Sequence, residues 1–158
     1  MSTSRPIASA GPVLAIPRPA YATPAMRLPP ETIDRLSPFV PEQDLVRLRA
    51  VTSAPGRWLP ALLGVGATTI APFVCFRQGK FDPSTPRGLA LIAHEAHHLC
   101  QVREMGWFGF YFRYLIGQFQ CGFQHSRHPL EIPAIELQRL VILRLADPGV
   151  PIRGTDSA

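Results

Sequence analysis

Residues 94–98 read His94-Glu95-Ala96-His97-His98, and this stretch decides how the chain is interpreted. On an α-helix, residues four apart stand on one face, about 5 to 6 Å from each other. His94 and His98 can therefore bind one metal ion, and Glu95 would lie beside that ion as a general base. His97 falls on the side of the helix away from His98. We expect it near the site or at the surface, and not as a ligand.

The flanking residues predict that this stretch lies within a long helix. Thr85 can cap the N-terminus, Pro86 suits the first helical position and Gly106 suits the C-terminal cap, so the predicted helix covers about 86–105. All five histidines of the chain lie between positions 94 and 128. This clustering favours a metal site, although histidines on a helix surface or hydrogen-bonded within a core would give the same pattern.

A catalytic zinc site needs a third protein ligand, because zinc there binds three side chains and one water. Gln101 and Glu104 stand where a metzincin carries its glycine and third histidine, which excludes that arrangement. Glu131 is the preferred third ligand because it opens the last predicted helix, although the helix dipole alone would also favour a carboxylate there. Pro133 requires that Glu131 lie in the first turn of that helix or just before it.

His128 is the alternative third ligand, and His125 and Cys121 are weaker candidates because no regular element is predicted to hold them. A zinc ion would activate a water and polarise a peptide carbonyl, while Glu95 takes the water proton and passes it to the leaving amine. The oxyanion that results needs a further hydrogen-bond donor. The candidates are Tyr111, Tyr114, His125, Arg127 and His128.

The rest of the chain predicts an α+β domain between two tails. Residues 1–28 form a predicted flexible tail rich in proline and alanine, residues 29–147 the domain, and residues 148–158 a polar tail. β-branched and aromatic residues predict one strand over 68–76, with Pro72 indicating a sheet edge or a bulge. Start and stop signals predict four further helices, at about 29–36, 41–48, 107–119 and 130–146.

Composition argues against several other functions. The net charge of +5 comes from fifteen arginines and one lysine against eleven acidic residues, without the basic run that would indicate nucleic-acid binding. No apolar run approaches the roughly 18 residues of a transmembrane helix. Three cysteines without metal or redox spacing indicate free thiols in a reducing compartment. We therefore predict a cytoplasmic protein, which a specialised system could export, with a peptide or protein substrate as its partner.

The run from Arg87 to Gln101 resembles the metal-binding helix of gluzincin-type HExxH zinc metallopeptidase domains. It is similar to small bacterial domains, including those encoded with extracellular contractile injection systems, whose helix reads HELxHVxQ. The segment His128-Pro129-Leu130-Glu131 resembles their NPxE segment, whose glutamate is expected to bind zinc. His128 stands where that segment usually has asparagine.

The resemblance implies a zincin-like α+β fold, mainly helical, with a small β-sheet packed beside the HExxH helix. It also implies peptide-bond hydrolysis with Glu95 as the base, and zinc bound by His94, His98 and Glu131. Pro133 and Ile135 depart from the family pattern, because acidic residues are usual at these positions. Such residues orient zinc ligands, so their replacement would weaken zinc binding or activity.

Two functions from different classes fit these residues. The first is a zinc-dependent peptidase. The alternative is a non-catalytic zincin-fold module that binds a partner protein, with the aromatic-rich segment 107–123 as its contact surface. Glu95 favours the enzyme, because a structural zinc site has no use for a base.

Overall fold

A computed structural model of the chain describes residues 25–146. The strands are β1 (Met26–Arg27), β2 (Arg49–Val51), β3 (Ala67–Ile70) and β4 (Phe73–Phe76). The helices are α1 (Pro30–Leu36), α2 (Glu42–Arg47), α3 (Trp58–Leu62), α4 (Pro86–Met105), α5 (Trp107–Gln120) and α6 (Glu131–Ala146). A 3-10 helix, His125–Arg127, lies between α5 and α6 and is called the His125 turn below. The predicted α+β class is confirmed.

Helix α4 is the longest helix of the described residues, and its two ends have the predicted local causes. The Thr85 side chain accepts a hydrogen bond from the Gly88 backbone N–H at 3.1 Å, and Pro86 occupies the first turn. Gly106 ends the helix with a φ of 73°, which L side chains rarely adopt. The predicted bounds of α4 are thereby confirmed, and the HExxH stretch lies in the middle of the helix.

The sheet has the order β1-β2-β4-β3, with β1 and β3 antiparallel to their neighbours and β2 parallel to β4. The single strand predicted over 68–76 is wrong, because the chain reverses at Ala71-Pro72 and forms a hairpin of β3 and β4. Proline lacks the N–H that a continuous ladder needs, so the turn falls there. As a result β3 is an edge strand, and it lies against α4.

One hydrophobic core joins the sheet to the helices. It includes Leu36, Leu48, Val74, Phe76 and Ile92, each fully buried. Helix α6 packs along α4, which brings the first residue of α6 beside the HExxH stretch. The packing of these two helices therefore positions the site.

A buried ion pair fastens α2 to the C-terminal half of α4. The Asp44 carboxylate is 1 % exposed. Arg103 Nε donates to its Oδ1 at 3.1 Å and to its Oδ2 at 3.2 Å, and Arg103 Nη2 donates to Oδ2 at 3.1 Å. A buried carboxylate is costly unless it is paired in this way. Arg103 thus satisfies a charge that the fold has buried.

The three cysteines carry free thiols, as predicted. Cys75 and Cys100 are buried, and burial raises the pKa of both thiols, that of Cys100 to about 11 with a further contribution from Glu104. Both stay protonated near neutral pH and therefore react slowly as nucleophiles.

The remaining expectations concern the helices and the tails. The two short helices predicted at 29–36 and 41–48 and the two helices predicted after α4 are confirmed, within two residues at each end. Met26 and Arg27 form β1, and Leu28 is buried in the core. The other residues of the predicted tails lie outside 25–146, apart from Ala25. Within those bounds, no helix has the length and apolar character needed to cross a bilayer.

Candidate metal centre

The buried face of α4 carries His94 and His98 one turn apart. Their ring centroids are 5.0 Å apart, and each residue is 4 % exposed. Glu95 is equally buried on the next position of the helix. His97 is only half-buried, and burial lowers its pKa. The helix thus separates His97 from the two imidazoles that share one face.

Glu131 faces those two imidazoles from the first position of α6. Its Oε2 atom lies 3.2 Å from His94 Nε2 and 3.3 Å from His98 Nε2, and the residue is 2 % exposed. Pro133 is the third residue of α6, where its missing N–H would have no partner inside the helix in any case. The proline is therefore compatible with a helix that begins at Glu131.

His125 lies at the same oxygen. Its Nε2 atom lies 3.2 Å from Glu131 Oε2, and its side chain is 46 % exposed. The ligand atoms of His94, His125 and Glu131 all lie within 4.8 Å of one another, a grouping that could hold a metal ion. His125 was a weak candidate among the predicted ligands, because a 3-10 helix of three residues leaves no periodic pattern in the sequence.

The donor set fits a divalent cation. Glu131 Oε2 is buried and, within residues 25–146, accepts no hydrogen bond, although three imidazole nitrogens lie at 3.2 to 3.3 Å. Burial opposes ionisation of Glu131, but the imidazoles of His94 and His98 hold its pKa well below the ordinary value. A buried carboxylate surrounded by imidazole nitrogens is a set of ligands that zinc prefers.

Gln101 fixes the orientation of the His98 ring. The Gln101 amide donates to the Leu130 carbonyl at 3.0 Å, so its oxygen faces His98 and accepts from Nδ1 at 2.9 Å. The proton of the neutral imidazole then sits on Nδ1, and the Nε2 lone pair faces Glu131. From the sequence, Gln101 was known as the position of a missing metzincin glycine and as the residue that matches the glutamine of HELxHVxQ, but no role was predicted for it. Its spacing of three residues from His98, on the same helix face, was the available signal.

Tyr114 holds the other oxygen of the Glu131 carboxylate. Its hydroxyl donates to Glu131 Oε1 at 2.8 Å, which leaves Oε2 directed at the imidazoles. Burial and the neighbouring Glu131 charge raise the pKa of Tyr114, so it remains a neutral donor. Among the five predicted oxyanion donors, Tyr114, Tyr111 and His125 line the cleft described below.

His128, the alternative third ligand, and Cys121, a weaker candidate, make contacts outside the cluster. His128 is fully buried, and both ring nitrogens are used: Nδ1 accepts from the Leu130 N–H at 3.1 Å and Nε2 donates to the Tyr114 carbonyl at 2.9 Å. Cys121 Sγ is directed at the Gln118 carbonyl, at 3.6 Å. Arg127 is exposed and lines a separate small pocket. His128 thus secures the turn instead of facing the cluster.

Glu95 is oriented by the edge strand. The Thr69 hydroxyl on β3 donates to Glu95 Oε2 at 2.7 Å. Both residues line an open cleft of about 1230 Å³, which also reaches His94, His98 and Glu131. The carboxylate of Glu95 and the metal-ligand cluster therefore share one solvent-connected space.

The open edge of β3 forms one wall of this cleft. The Arg77 N–H bonds to the Gly66 carbonyl at 2.9 Å, and because antiparallel pairing alternates, Ala67 and Thr69 direct their backbone groups to the open side. Tyr111 closes the end of this edge: its hydroxyl donates to the Thr69 carbonyl at 3.3 Å and accepts from the Ala71 N–H at 3.0 Å. Ala67 lines the cleft and has no strand partner on this side within the described sheet, but the residue is only 6 % exposed.

Comparison with known proteins gives one family. Residues 27–106 match the eCIS core domain, where eCIS denotes an extracellular contractile injection system. The match covers β1 through α4, including the HExxH stretch and Gln101, and stops before α5, the His125 turn and α6. No curated protein and no solved structure gives a match. Because the matched residues make up half of the chain, the protein belongs to the eCIS core domain family, which associates it with contractile injection systems.

Proposed function

We propose that this protein is a zinc-dependent peptidase of the gluzincin type, with a zincin-like fold. His94, His98 and Glu131 would bind zinc, and Glu95 would be the general base. The observation that carries the proposal is the convergence of two imidazole nitrogens on one buried carboxylate oxygen, 3.2 and 3.3 Å away, with a second carboxylate beside them in a cleft. Retention of Glu95 supports catalysis, because a purely structural site needs no base.

Bound zinc would supply a Lewis acid that polarises a carbonyl and lowers the pKa of a water to about 7. Glu95 would accept the proton of that water and deliver it to the departing amine. The Thr69 hydroxyl holds one Glu95 oxygen, so the other oxygen is left to carry the proton. Among the candidates that line the cleft, Tyr114 already donates its hydroxyl proton to Glu131 and Tyr111 donates its own to the Thr69 carbonyl, so His125 is the candidate to donate to the oxyanion.

A peptide is the substrate that the cleft suits best. Extended chains bind by adding a strand to an open sheet edge. Strand β3 is an edge strand of the described sheet, and its residues Ala67 and Thr69 line the cleft beside the Thr69–Glu95 hydrogen bond. Tyr111 covers the far end of the strand. A bound peptide would therefore pair mainly with the Ala67 end.

Gln101 and Tyr114 offset the departures noted at Pro133 and Ile135. Family members usually carry acidic residues at these two positions, which orient the zinc ligands. Here the Gln101 amide orients His98, and the Tyr114 hydroxyl orients Glu131. Such outer hydrogen bonds are what keep metal ligands in place. Two of the three proposed ligands are thus oriented without those acidic residues, while within residues 25–146 the buried Nδ1 atom of His94 has no hydrogen-bond partner.

A second candidate is a non-catalytic module that binds a partner protein. Helix α5 exposes several large apolar side chains, among them Trp107, Phe108, Phe112, Leu115 and Phe119. Exposed apolar patches of this kind mark interaction sites. The family's association with injection systems is compatible with such a partner and with export from the cytoplasm by that machinery.

The test compares wild type, Glu95→Gln and Glu136→Gln, each loaded with zinc and incubated with a mixed peptide library. Glu136 is exposed on α6 and serves as the matched control. We expect cleavage by wild type and the control, and a loss of about 100-fold or more in Glu95→Gln with zinc content unchanged. Equal cleavage by Glu95→Gln would refute the assignment of the base. Full zinc binding by wild type without any cleavage would favour the binding module.

A further inference from the structure

We propose that His125 is a fourth metal ligand that closes the site in the resting chain and leaves it when a peptide enters the cleft. This inference rests on the proposed metal site and concerns its regulation. The three ligands of the proposed peptidase lie on two long helices. His125 instead lies on a turn of three residues at the mouth of the same site.

His125 lies as close to the Glu131 carboxylate as the other two imidazoles do. His125 Nε2 is 3.2 Å from Glu131 Oε2, against 3.2 Å for His94 Nε2 and 3.3 Å for His98 Nε2. The rings of His94 and His125 are nearly parallel, 26° apart, with centroids at 6.2 Å. Three imidazole nitrogens therefore lie within 3.3 Å of one carboxylate oxygen, and the group whose ligand atoms all lie within 4.8 Å of one another consists of His94, His125 and Glu131, without His98. Zinc with four protein ligands is tetrahedral and closed, whereas a catalytic site keeps one position open.

The attachment of His125 differs from that of the other donors. The side chains of His94 and His98 are 6 % exposed and that of Glu131 is 2 % exposed, but the His125 side chain is 46 % exposed. Gln101 fixes the His98 ring through Nδ1. Within residues 25–146 no hydrogen bond holds Nδ1 of His125 or of His94, but the His94 ring is buried whereas the His125 ring is not. Of the four donors, His125 is the one that can turn away without disturbing packed neighbours.

The segments before and after the His125 turn are held differently. The turn is entered through Gly122 and Phe123, which both have a φ of 61°. It is left through His128, whose two ring nitrogens are hydrogen-bonded to the Tyr114 carbonyl and the Leu130 N–H. His128 thus stands as a fixed point between the turn and Glu131. We infer that a shift of His125 would stop at His128 and leave Glu131 in place.

The cleft gives a reason for the displacement. His125 and Phe123 line the same cleft as Glu95 and Thr69. A peptide beside the Thr69–Glu95 hydrogen bond would need the solvent-facing side of the cluster for its carbonyl, and His125 occupies that side. Replacing the exposed His125 imidazole by the substrate carbonyl would keep the number of zinc ligands at four.

The experiment compares wild type, His125→Ala and Ser126→Ala, with Ser126 as an exposed control on the same turn. Zinc affinity is measured by competition with a chromophoric chelator, and Co²⁺-loaded protein is titrated with azide while its visible spectrum is recorded. We expect His125→Ala to bind zinc at least about tenfold more weakly, since even an outer hydrogen bond to a ligand is worth that much. Azide should change the Co²⁺ spectrum of His125→Ala and leave wild type and Ser126→Ala unchanged. Urea unfolding verifies that each variant is folded.

Equal zinc affinity and equal azide response in wild type and His125→Ala would overturn the inference and leave the proposed peptidase intact. If peptide cleavage also fell in that variant, His125 would be a donor to the oxyanion instead of a ligand. Weaker zinc binding by His125→Ala, with no cleavage by any variant, would support the fourth ligand and reject the peptidase. Failure of wild type to bind zinc would reject both.

Discussion

Gln101 is the residue whose role the sequence alone did not reveal. His94, Glu95 and His98 could be grouped because a spacing of four on one helix is a local signal. The partner of Gln101, the Leu130 carbonyl, lies 29 residues away, and only the packing of α6 on α4 brings it near. The position of the third ligand depends on the same packing of α6 on α4. The spacing in the sequence therefore could not show whether Glu131 or His128 is that ligand.

Replacing Gln101 with leucine should weaken metal binding. The change removes the acceptor of the His98 Nδ1 proton, so the ring is free to turn or to change tautomer. We expect zinc affinity to fall by about 10- to 100-fold, measured by chelator competition. Gln43→Leu, at an exposed position on α2, is the control. Unchanged affinity in Gln101→Leu would show that the ring is held by packing alone.

Among the elements, five of the six described helices were predictable, whereas strands β1 and β2 were not. Caps, prolines and apolar spacing marked α1, α2, α4, α5 and α6. Strands β1 and β2 have two and three residues, too few for an alternating pattern, and their pairing depends on contacts across the sheet. The His125 turn was missed for a similar reason, and with it the proximity of His125 to Glu131.

The contact between α5 and the segment before α6 can be tested with two glycines of one helix. A Cβ on Gly117 would come within 2.5 Å of His128 Nε2, whereas a Cβ on Gly109 would meet Met105 Cβ at an ordinary 3.7 Å. Gly117→Ala should therefore displace His128 and destabilise the fold by about 1 to 3 kcal/mol. Gly109→Ala should be neutral or stabilising by up to about 1 kcal/mol.

Urea unfolding monitored by circular dichroism measures both free energies of unfolding. Zinc affinity should also fall in Gly117→Ala, because the His128 anchor precedes Glu131 by three residues. If the two variants unfold at the same urea concentration, His128 does not hold the turn against α5.

At the scale of the whole molecule, the site joins two parts of the chain. The part that matches the eCIS core domain, residues 27–106, supplies His94, Glu95, His98 and Gln101. The part beyond it supplies Tyr114, His125 and Glu131. The fold class and the site residues of this first part could be predicted from the sequence, because they depend on local patterns of residue spacing and helix caps. The completed cluster depends on how α5 and α6 return to α4.

A crystal structure of the zinc-loaded protein, with anomalous data collected at the zinc edge, tests the central claim most directly. We predict one anomalous peak about 2.0 to 2.2 Å from His94 Nε2, His98 Nε2 and a carboxylate oxygen of Glu131. A zinc peak elsewhere in the molecule, or none at this cluster, would contradict the proposed metal centre.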